Sequence, residues 1–388
     1  MIRKTGMSFI AMLRKNVLLR GLCHALHIGD MKRWWFFHSH KDIANFRSYI
    51  ISQIHINIAK FEKEIIGNPA LYDKRYQDIL GAYDQFLMSP EEYYMLDFAN
   101  KGLQERSLYI SDFEMHRLLM GYNGGGVNTE SELMDKVAFC KKMNSYIGRA
   151  ITEVTSAKDF EQFKVFARGH KQLFCKPNYE CKGVGIFYQE INNEQSIVDC
   201  FNKMIEAGGR WIVEEKIIQT RKMAVWNTSC VNTIRYYSMM DRKGNYNVLP
   251  HCLRTGRKGS IVDNAGSGGV FAAIDPSTGI VITDGVDEMG RYYNSHPDSK
   301  VRFKGWQVPR WEELCHLVES AHRKMLPRHR YIGWDWALTE NGWVLIEANW
   351  GQFLNQYVEK TGRRKEWLEC TGLHDYKFNH KRLKAHAL

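Results

Sequence analysis

No apolar run in this chain approaches the roughly eighteen residues that a membrane-spanning helix requires. No CxxC pair occurs either. The nine cysteines are scattered singly, and the nearest two in sequence, Cys175 and Cys181, are too isolated from other soft ligands to suggest zinc. Reduced thiols in a cytoplasm are the expectation. The start, "MIRKTGMSFIAMLRKNVLLRGL", does not suit a signal peptide, because Arg14 and Lys15 interrupt its apolar stretch. The phosphate-binding patterns GxxxxGK[ST] and GxGxxG are both missing, which excludes a Walker A loop and a Rossmann fingerprint. Repeats and low-complexity segments are absent as well. Acids are scarce at the start: residues 1–60 hold ten Lys/Arg against two acids, a net +8 out of the chain's +11. Such a block can meet nucleic acid, an anionic membrane or a phosphorylated substrate, or it can simply face water.

The 388 residues suffice for two or three domains, and 44% apolar and 25% charged residues are ordinary for a folded soluble protein. Residues 1–100 read as helical. Phe9, Met12, Leu13, Val17, Leu22 and Leu26 fall at three- and four-residue spacings, and "ANFRSYIISQIHINIAKFEKEII" continues the pattern to the breaker Gly67-Asn68-Pro69. Ser89-Pro90-Glu91-Glu92 is a helix start: a capping Ser, Pro in the first position and acids in the first turn. "SDFEMHRLLMGYN" is another helix. After about 150 the pattern changes to short strands rich in β-branched and aromatic residues: "QLFCKP", "GVGIFYQE", "RWIVEEKII", "VNTIRYYSMMD", "YNVLPHCLR", "GGVFAAID", "GIVITDG" and a hairpin over 331–350. Helices are expected at 130–148, 157–168, 194–207 and 310–325. This mixture predicts an α+β fold.

The hairpin "YIGWDWALTENGWVLIEANW" raises a physical problem. Asp335, Glu347 and Asn349 sit in apolar runs where burying a carboxylate is costly unless something charged meets it. With a two-residue Asn341-Gly342 loop, Asp335 pairs Ala348, and Asp335 and Glu347 lie on opposite faces. With a three-residue loop, Glu340-Asn341-Gly342, or with a bulge restoring the same parity, Asp335 faces Glu347 with Asn349 on the same side. Three oxygen ligands then converge, the hard set that Mg²⁺ prefers. Pairing of the acids with core Arg or Lys is the alternative.

Three further stretches are individually weak signals. "LFCKPNYECKGVGIF" delivers Lys176 from a strand into a loop carrying Lys182, Gly183 and Gly185, whose amides can approach phosphate oxygens. "ELMDKVAFCKK" places Lys136 on a helix. "RWIVEEKII" ends a strand with Glu214, Glu215 and Lys216.

Taken in order, "MDK", "KP", "VEEKI" and "EAN" resemble the motifs of the ATP-grasp superfamily over about residues 115–360. The stretches "SCVNTIRYYSMM", "DNAGSGGVFAAIDPSTG" and "SPEEYYMLDFANK" are similar to its sugar-transfer-associated group, which is linked by context to capsule and exopolysaccharide assembly. The resemblance implies an ATP-grasp fold, two α+β subdomains gripping ATP, here with a helical N-terminal extension. It implies these divisions: a helical extension at 1–90, a helical lead-in at 91–150, a lid subdomain at 151–215, a subdomain with the metal site at 216–360 and a basic tail at 361–388. It also implies roles. Lys136 and Lys176 contact the α- and β-phosphates, and loop 180–186 with Lys182, Gly183 and Gly185 closes over the triphosphate. Glu214, Glu215, Lys216 and Ile218 form the adenine edge, and Asp335, Glu347 and Asn349 hold Mg²⁺. The family's ribose-binding acid has no counterpart in "QTRKM", where Gln219 is the available substitute.

Arg235, Arg254 and Arg257 in the central region suit a carboxylate or acyl phosphate. The expected activity is ATP-dependent joining of a carboxylate to an amine, on small-molecule or sugar-linked substrates. Phosphorylation of a hydroxyl at the same nucleotide site is the alternative, and a non-enzymatic membrane or nucleic-acid binder is a third reading. Nucleic acid is not expected as a partner, because the basic start alternates with a helical apolar face. Peripheral contact with an anionic membrane through residues 9–26 is compatible with a cytoplasmic protein.

Overall fold

The helical start is present from His40 onward. The computed structural model describes residues 40–115, 118, 132–179, 185–241, 243–263, 268–349 and 353–371. The apolar stripe at 9–26, the aromatic run at 34–37, and Lys182 and Gly183 lie outside the described residues. Helix α1, His40–Phe61, turns Ile50, Ile54 and Ile58 inward at four-residue spacing, and all three are fully buried. Each contributes roughly 1.5–3 kcal/mol by leaving water. Asn68 caps α2, Pro69–Phe86, by accepting a hydrogen bond from the Leu71 amide at 3.2 Å. Asn68-Pro69 therefore starts a helix as well as ending one. Helix α3, Pro90–Met95, opens with a reciprocal cap: Ser89 Oγ accepts from Glu92 N at 3.2 Å, and Glu92 Oε2 accepts from Ser89 N at 3.0 Å.

After helix α4, Lys136–Lys142, come β1 (Ile151–Val154), α5 (Phe160–Arg168), β2 (Gln172–Pro177), β3 (Phe187–Glu190), α6 (Glu194–Ala207) and β4 (Trp211–Glu215). The four strands form one antiparallel sheet in the order β1-β4-β2-β3. Helices α5 and α6 cover one face with Phe163, Ala167, Ile197 and Phe201, packed on Leu173, Cys175 and Val213.

A second, seven-stranded antiparallel sheet follows. It contains β5 (Thr233–Met240), β6 (Tyr246–Thr255), β7 (Val270–Ile274), β8 (Gly285–Val286), β9 (Tyr292–Tyr293), β10 (Tyr331–Thr339) and β11 (Gly342–Asn349), in the order β11-β10-β5-β6-β7-β8-β9. Helix α7, Trp311–Met325, packs Leu314, Val318 and Met325 on one face of this sheet against Ile234, Tyr236, Trp334 and Trp336. The other face receives the N-terminal helices, whose Ile50, Ile54 and Tyr93 pack on Cys252, Phe271 and Ala273. Beside them Trp367 of α9 (Arg364–Thr371) packs with Tyr237 and Tyr331. Covering on both faces explains why β5 is buried along its whole length.

The N-terminal helices are tied to the rest by polar bonds too. Tyr357 in α8 (Asn355–Glu359) donates to Glu92 Oε1 at 3.1 Å, and Arg364 pairs with Glu114 at 2.7 Å. One expected strand is not a strand: in "GIVITDG", Ile280 and Val281 form only isolated bridges. Gly279 is held at φ +71° under Trp311, where a Cβ would lie 2.3 Å from the ring, so the segment bends around the indole. Among the described residues no helix is long and apolar enough to cross a membrane.

Candidate active site

The hairpin of β10 and β11 does bring Asp335 opposite Glu347, by a bulge and not by the three-residue loop. The turn is the two residues Glu340-Asn341, and Thr339 pairs Gly342. Continued without interruption, that register would set Asp335 against Ile346. A bulge between Asp335 and Trp336 on the β10 side inserts Ile346 as an extra residue and shifts the pairing by one, so that Asp335 faces Glu347 and Gly333 faces Asn349. Of the two expected devices the three-residue loop is absent, and the bulge restores the parity across a two-residue turn. Asn349 Nδ2 lies 3.2 Å from Glu347 Oε1 and 3.5 Å from Asp335 Oδ2, so the three side chains share one face.

The charge that meets Asp335 is arginine. Arg235, directly opposite on β5, donates Nε to Oδ1 at 2.5 Å and Nη2 to Oδ2 at 2.9 Å; Arg254 on β6 donates Nη1 to Oδ2 at 2.9 Å. Asp335 is 3% exposed. Burial by itself would raise its pKa, but the two guanidinium charges outweigh that and hold it at about 2. Arg254 also reaches Asp263 Oδ1 at 3.2 Å, and Thr233 Oγ1 donates to the other Asp263 oxygen. Asp263 is less well compensated, and burial pushes its carboxyl up.

The candidate donor set is oxygen-rich: two carboxylates and one amide, whose oxygen can replace its nitrogen by rotation. Asp335 Oδ2 accepts from both arginines, whereas Oδ1 accepts from Arg235 alone. Glu347 has no salt bridge among the described residues. Among the described residues no three His, Cys, Asp or Glu side chains are grouped so as to hold a metal ion, and the third donor here is the Asn349 amide. The chemistry of this set fits a hard divalent cation.

On the small sheet, Lys176 is 5% exposed and its ammonium lies 2.7 Å from Glu214 Oε2. Arg149 Nη2 takes the other oxygen of Glu214 at 2.8 Å. Burial would raise the Glu214 pKa, but Arg149 and Lys176 bring it down to about 2. Lys136, at the start of α4, donates to Asn178 O at 3.1 Å, which brings it to the end of β2. Gly185 has φ +73°, and a Cβ there would come within 2.9 Å of Pro177 Cγ.

The remaining sequence-predicted residues are placed as follows. Glu215 is exposed and accepts from the Ala150 amide at 3.2 Å; Lys216 donates to Gln172 Oε1 at 2.8 Å; Ile218 is 77% exposed. Of the pair Glu214-Glu215 it is Glu214 that turns inward to the lysine. Gln219 is used structurally: its amide bonds the Asn227 and Cys230 carbonyls and accepts from Asn232. Arg257 does not join Arg235 and Arg254, because Asp298 takes its Nε and Nη2 at 2.8 and 2.9 Å. Arg149, Asp263 and Thr233 escaped the sequence reading. Thr233 and Asp263 lie within the quoted stretches "SCVNTIRYYSMM" and "DNAGSGGVFAAIDPSTG" but were given no role there, and Arg149 lies in none of the quoted motifs.

The sugar-transfer associated ATP-grasp family matches residues 150–368, more than half of the chain. The chain belongs to that family. The match includes both sheets, the Lys176–Glu214 pair and the β10–β11 hairpin, and leaves the helices before residue 115 outside. Three solved structures also match, each with a TM-score of 0.36. D-alanyl-alanine synthetase A from Vibrio cholerae O1 biovar eltor is 12% identical, over 59% of this chain and 56% of that one. D-alanine–D-alanine ligase from Bacillus anthracis, complexed with ATP, is 15% identical, over 66% and 65%. N5-carboxyaminoimidazole synthetase from Staphylococcus aureus, complexed with ADP, is 10% identical, over 63% and 52%. The chain thus spans between about half and two thirds of the length of these three. No curated protein matches it.

Proposed function

We propose that this ATP-grasp chain is an ATP-dependent, ADP-forming carboxylate–amine ligase that acts through an acyl phosphate on a sugar or sugar-linked amino acid in surface-polysaccharide assembly. The observation that carries this reading is the shared face of Asp335, Glu347 and Asn349 with Arg235 and Arg254 beside them. Asp335, Glu347 and Asn349 would hold Mg²⁺, which when bound offsets the charge of the polyphosphate. Lys136 and Lys176 would meet the phosphates, and the end of β4 would meet the adenine. Arg235 and Arg254, held rigid by Asp335, would receive the substrate carboxylate; Arg257, held by Asp298, has no part in this assignment.

In the first step a carboxylate oxygen attacks the γ-phosphorus and the bond to the ADP oxygen breaks. In the second the amine nitrogen attacks the acyl carbon, phosphate leaves, and the amine proton passes to phosphate or solvent. Neither step needs a side-chain nucleophile; positioning and charge supply the rate.

Product analysis with candidate acids and amines tests this. Free phosphate appearing with ADP only when both are present supports ligation, whereas phosphate retained on the acceptor replaces it with a kinase. A cytoplasmic enzyme docked on an anionic membrane through residues 9–26 is part of the same proposal. Co-sedimentation with anionic vesicles, lost on removal of residues 1–30, is expected; a protein that stays in solution with them removes the docking.

A further inference from the structure

Arg149 belongs to none of the motifs above, yet it touches both sheets. Its side chain is 3% exposed. Nη1 donates to Leu345 O at 2.7 Å and to Ile147 O at 3.0 Å, while Nη2 donates to Glu214 Oε1 at 2.8 Å and to Ile346 O at 3.4 Å. Leu345 and Ile346 are the residue before the bulge and the extra residue within it. β11 is the edge strand of the large sheet, and Arg149 donates to the carbonyls of both residues. Glu347 is the next residue.

The turn that carries Arg149 is pressed against the same strand. Gly148 has φ +59°, and a Cβ there would lie 2.4 Å from Val344 Cγ1. Only glycine permits this approach, so the close packing of the turn on β11 is built in.

On its other side Arg149 shares Glu214 with Lys176. One carboxylate thus serves two cations, and the buried trio keeps a net positive charge. Without Arg149, Glu214 would neutralise Lys176 alone.

We infer that Arg149 is a positioning residue that couples the Lys176 ammonium on the small sheet to the bulge placing Glu347 opposite Asp335 on the large one. It does two separable things. Its charge beside Glu214 leaves Lys176 electropositive toward a polyphosphate. Its planar fork on the Leu345 and Ile346 carbonyls holds the strand that presents Glu347. Lysine can supply the first but not the second. The inference rests on the reading that Lys176 meets phosphates and Glu347 meets the cation.

ATP titrations of the full chain, with and without Mg²⁺, test it in wild type, Arg149→Met and Arg149→Lys, with melting curves to verify folding. In wild type Mg²⁺ is expected to tighten ATP binding. Arg149→Met is expected to lose affinity in both conditions and at least tenfold of the Mg²⁺-dependent gain. Arg149→Lys is expected to recover the metal-free affinity and not the gain, a split that general destabilisation does not produce. If Arg149→Met does not fold, Arg149→Lys carries the comparison alone. A Mg²⁺-dependent gain equal to wild type in the folded variants overturns the coupling while leaving the nucleotide site intact. Wild type that binds no ATP overturns the site assignment itself, and this inference with it.

Discussion

Arg235 and Asp335, one hundred residues apart in sequence, face each other on neighbouring strands and join through two hydrogen bonds of 2.5 and 2.9 Å. Both are nearly inaccessible to solvent. Removing one partner of a buried pair leaves the other charge uncompensated, which costs about 3–5 kcal/mol. Asp335→Asn is therefore expected to lower the melting temperature as well as abolish turnover. Glu347→Gln, whose carboxylate makes no salt bridge among the described residues, separates the two effects. It should fold like wild type and lose turnover; turnover near wild type in Glu347→Gln would remove the metal assignment.

Lys176→Ala should weaken ATP binding roughly ten- to a hundredfold, the range for one charge-assisted contact of about 1.5–3 kcal/mol. Stability should change less, because Arg149 still neutralises Glu214. A nucleotide titration beside a melting curve measures both. Unchanged ATP affinity would take Lys176 out of the site.

Acid should weaken the fold before the carboxylates titrate. His322 Nε2 donates to His329 O at 3.1 Å, so its Nδ1 accepts from Ser238 Oγ at 2.6 Å, and burial lowers its pKa to about 3. Burial lowers that of His329 as well. Above the unfolded value of about 6.5 both states carry a neutral imidazole; below it the unfolded chain binds the proton first. For His322 stability is thus lost as pH falls from about 6.5 toward 3, by at most about 1.4 kcal/mol per pH unit, and His329 adds to the loss below about 6.5. Glu214 and Asp335, lowered to about 2, add to the loss below about 4.5. Melting temperatures that stay level from pH 7.5 to 4.5 would contradict this.

Gly148→Ala should cost at least about 1–2 kcal/mol from the left-handed backbone alone, before the contact with Val344 is counted. Chemical denaturation gives the value. A variant as stable as wild type would show that the turn moves freely off β11.

Local pattern carried much of the fold. Residues 172–177 and 194–207 form the expected strand and helix with the expected ends, and Ser89 caps its helix through Glu92. Periodicity, caps and breakers act over a few residues, so they are readable in order along the chain. Side-chain alternation also narrowed the hairpin to arrangements that either unite or separate Asp335 and Glu347. The choice between them came from the bulge at Ile346, and the bulge is held by Arg149 from across the molecule.

The other decisions of this kind are equally long-range. Asp298 draws Arg257 away from the site, Gln219 is consumed by Asn227, Cys230 and Asn232, and Arg254 is shared between Asp263 and Asp335. The helices before residue 115 cover the face of the large sheet that holds Cys252 and Phe271. Charges choose partners by distance and burial, and both are set by which strands become neighbours. That order arises only when loops of up to a hundred residues have closed, so sequence alone determined the elements and their chemistry, while tertiary structure decided which charges meet.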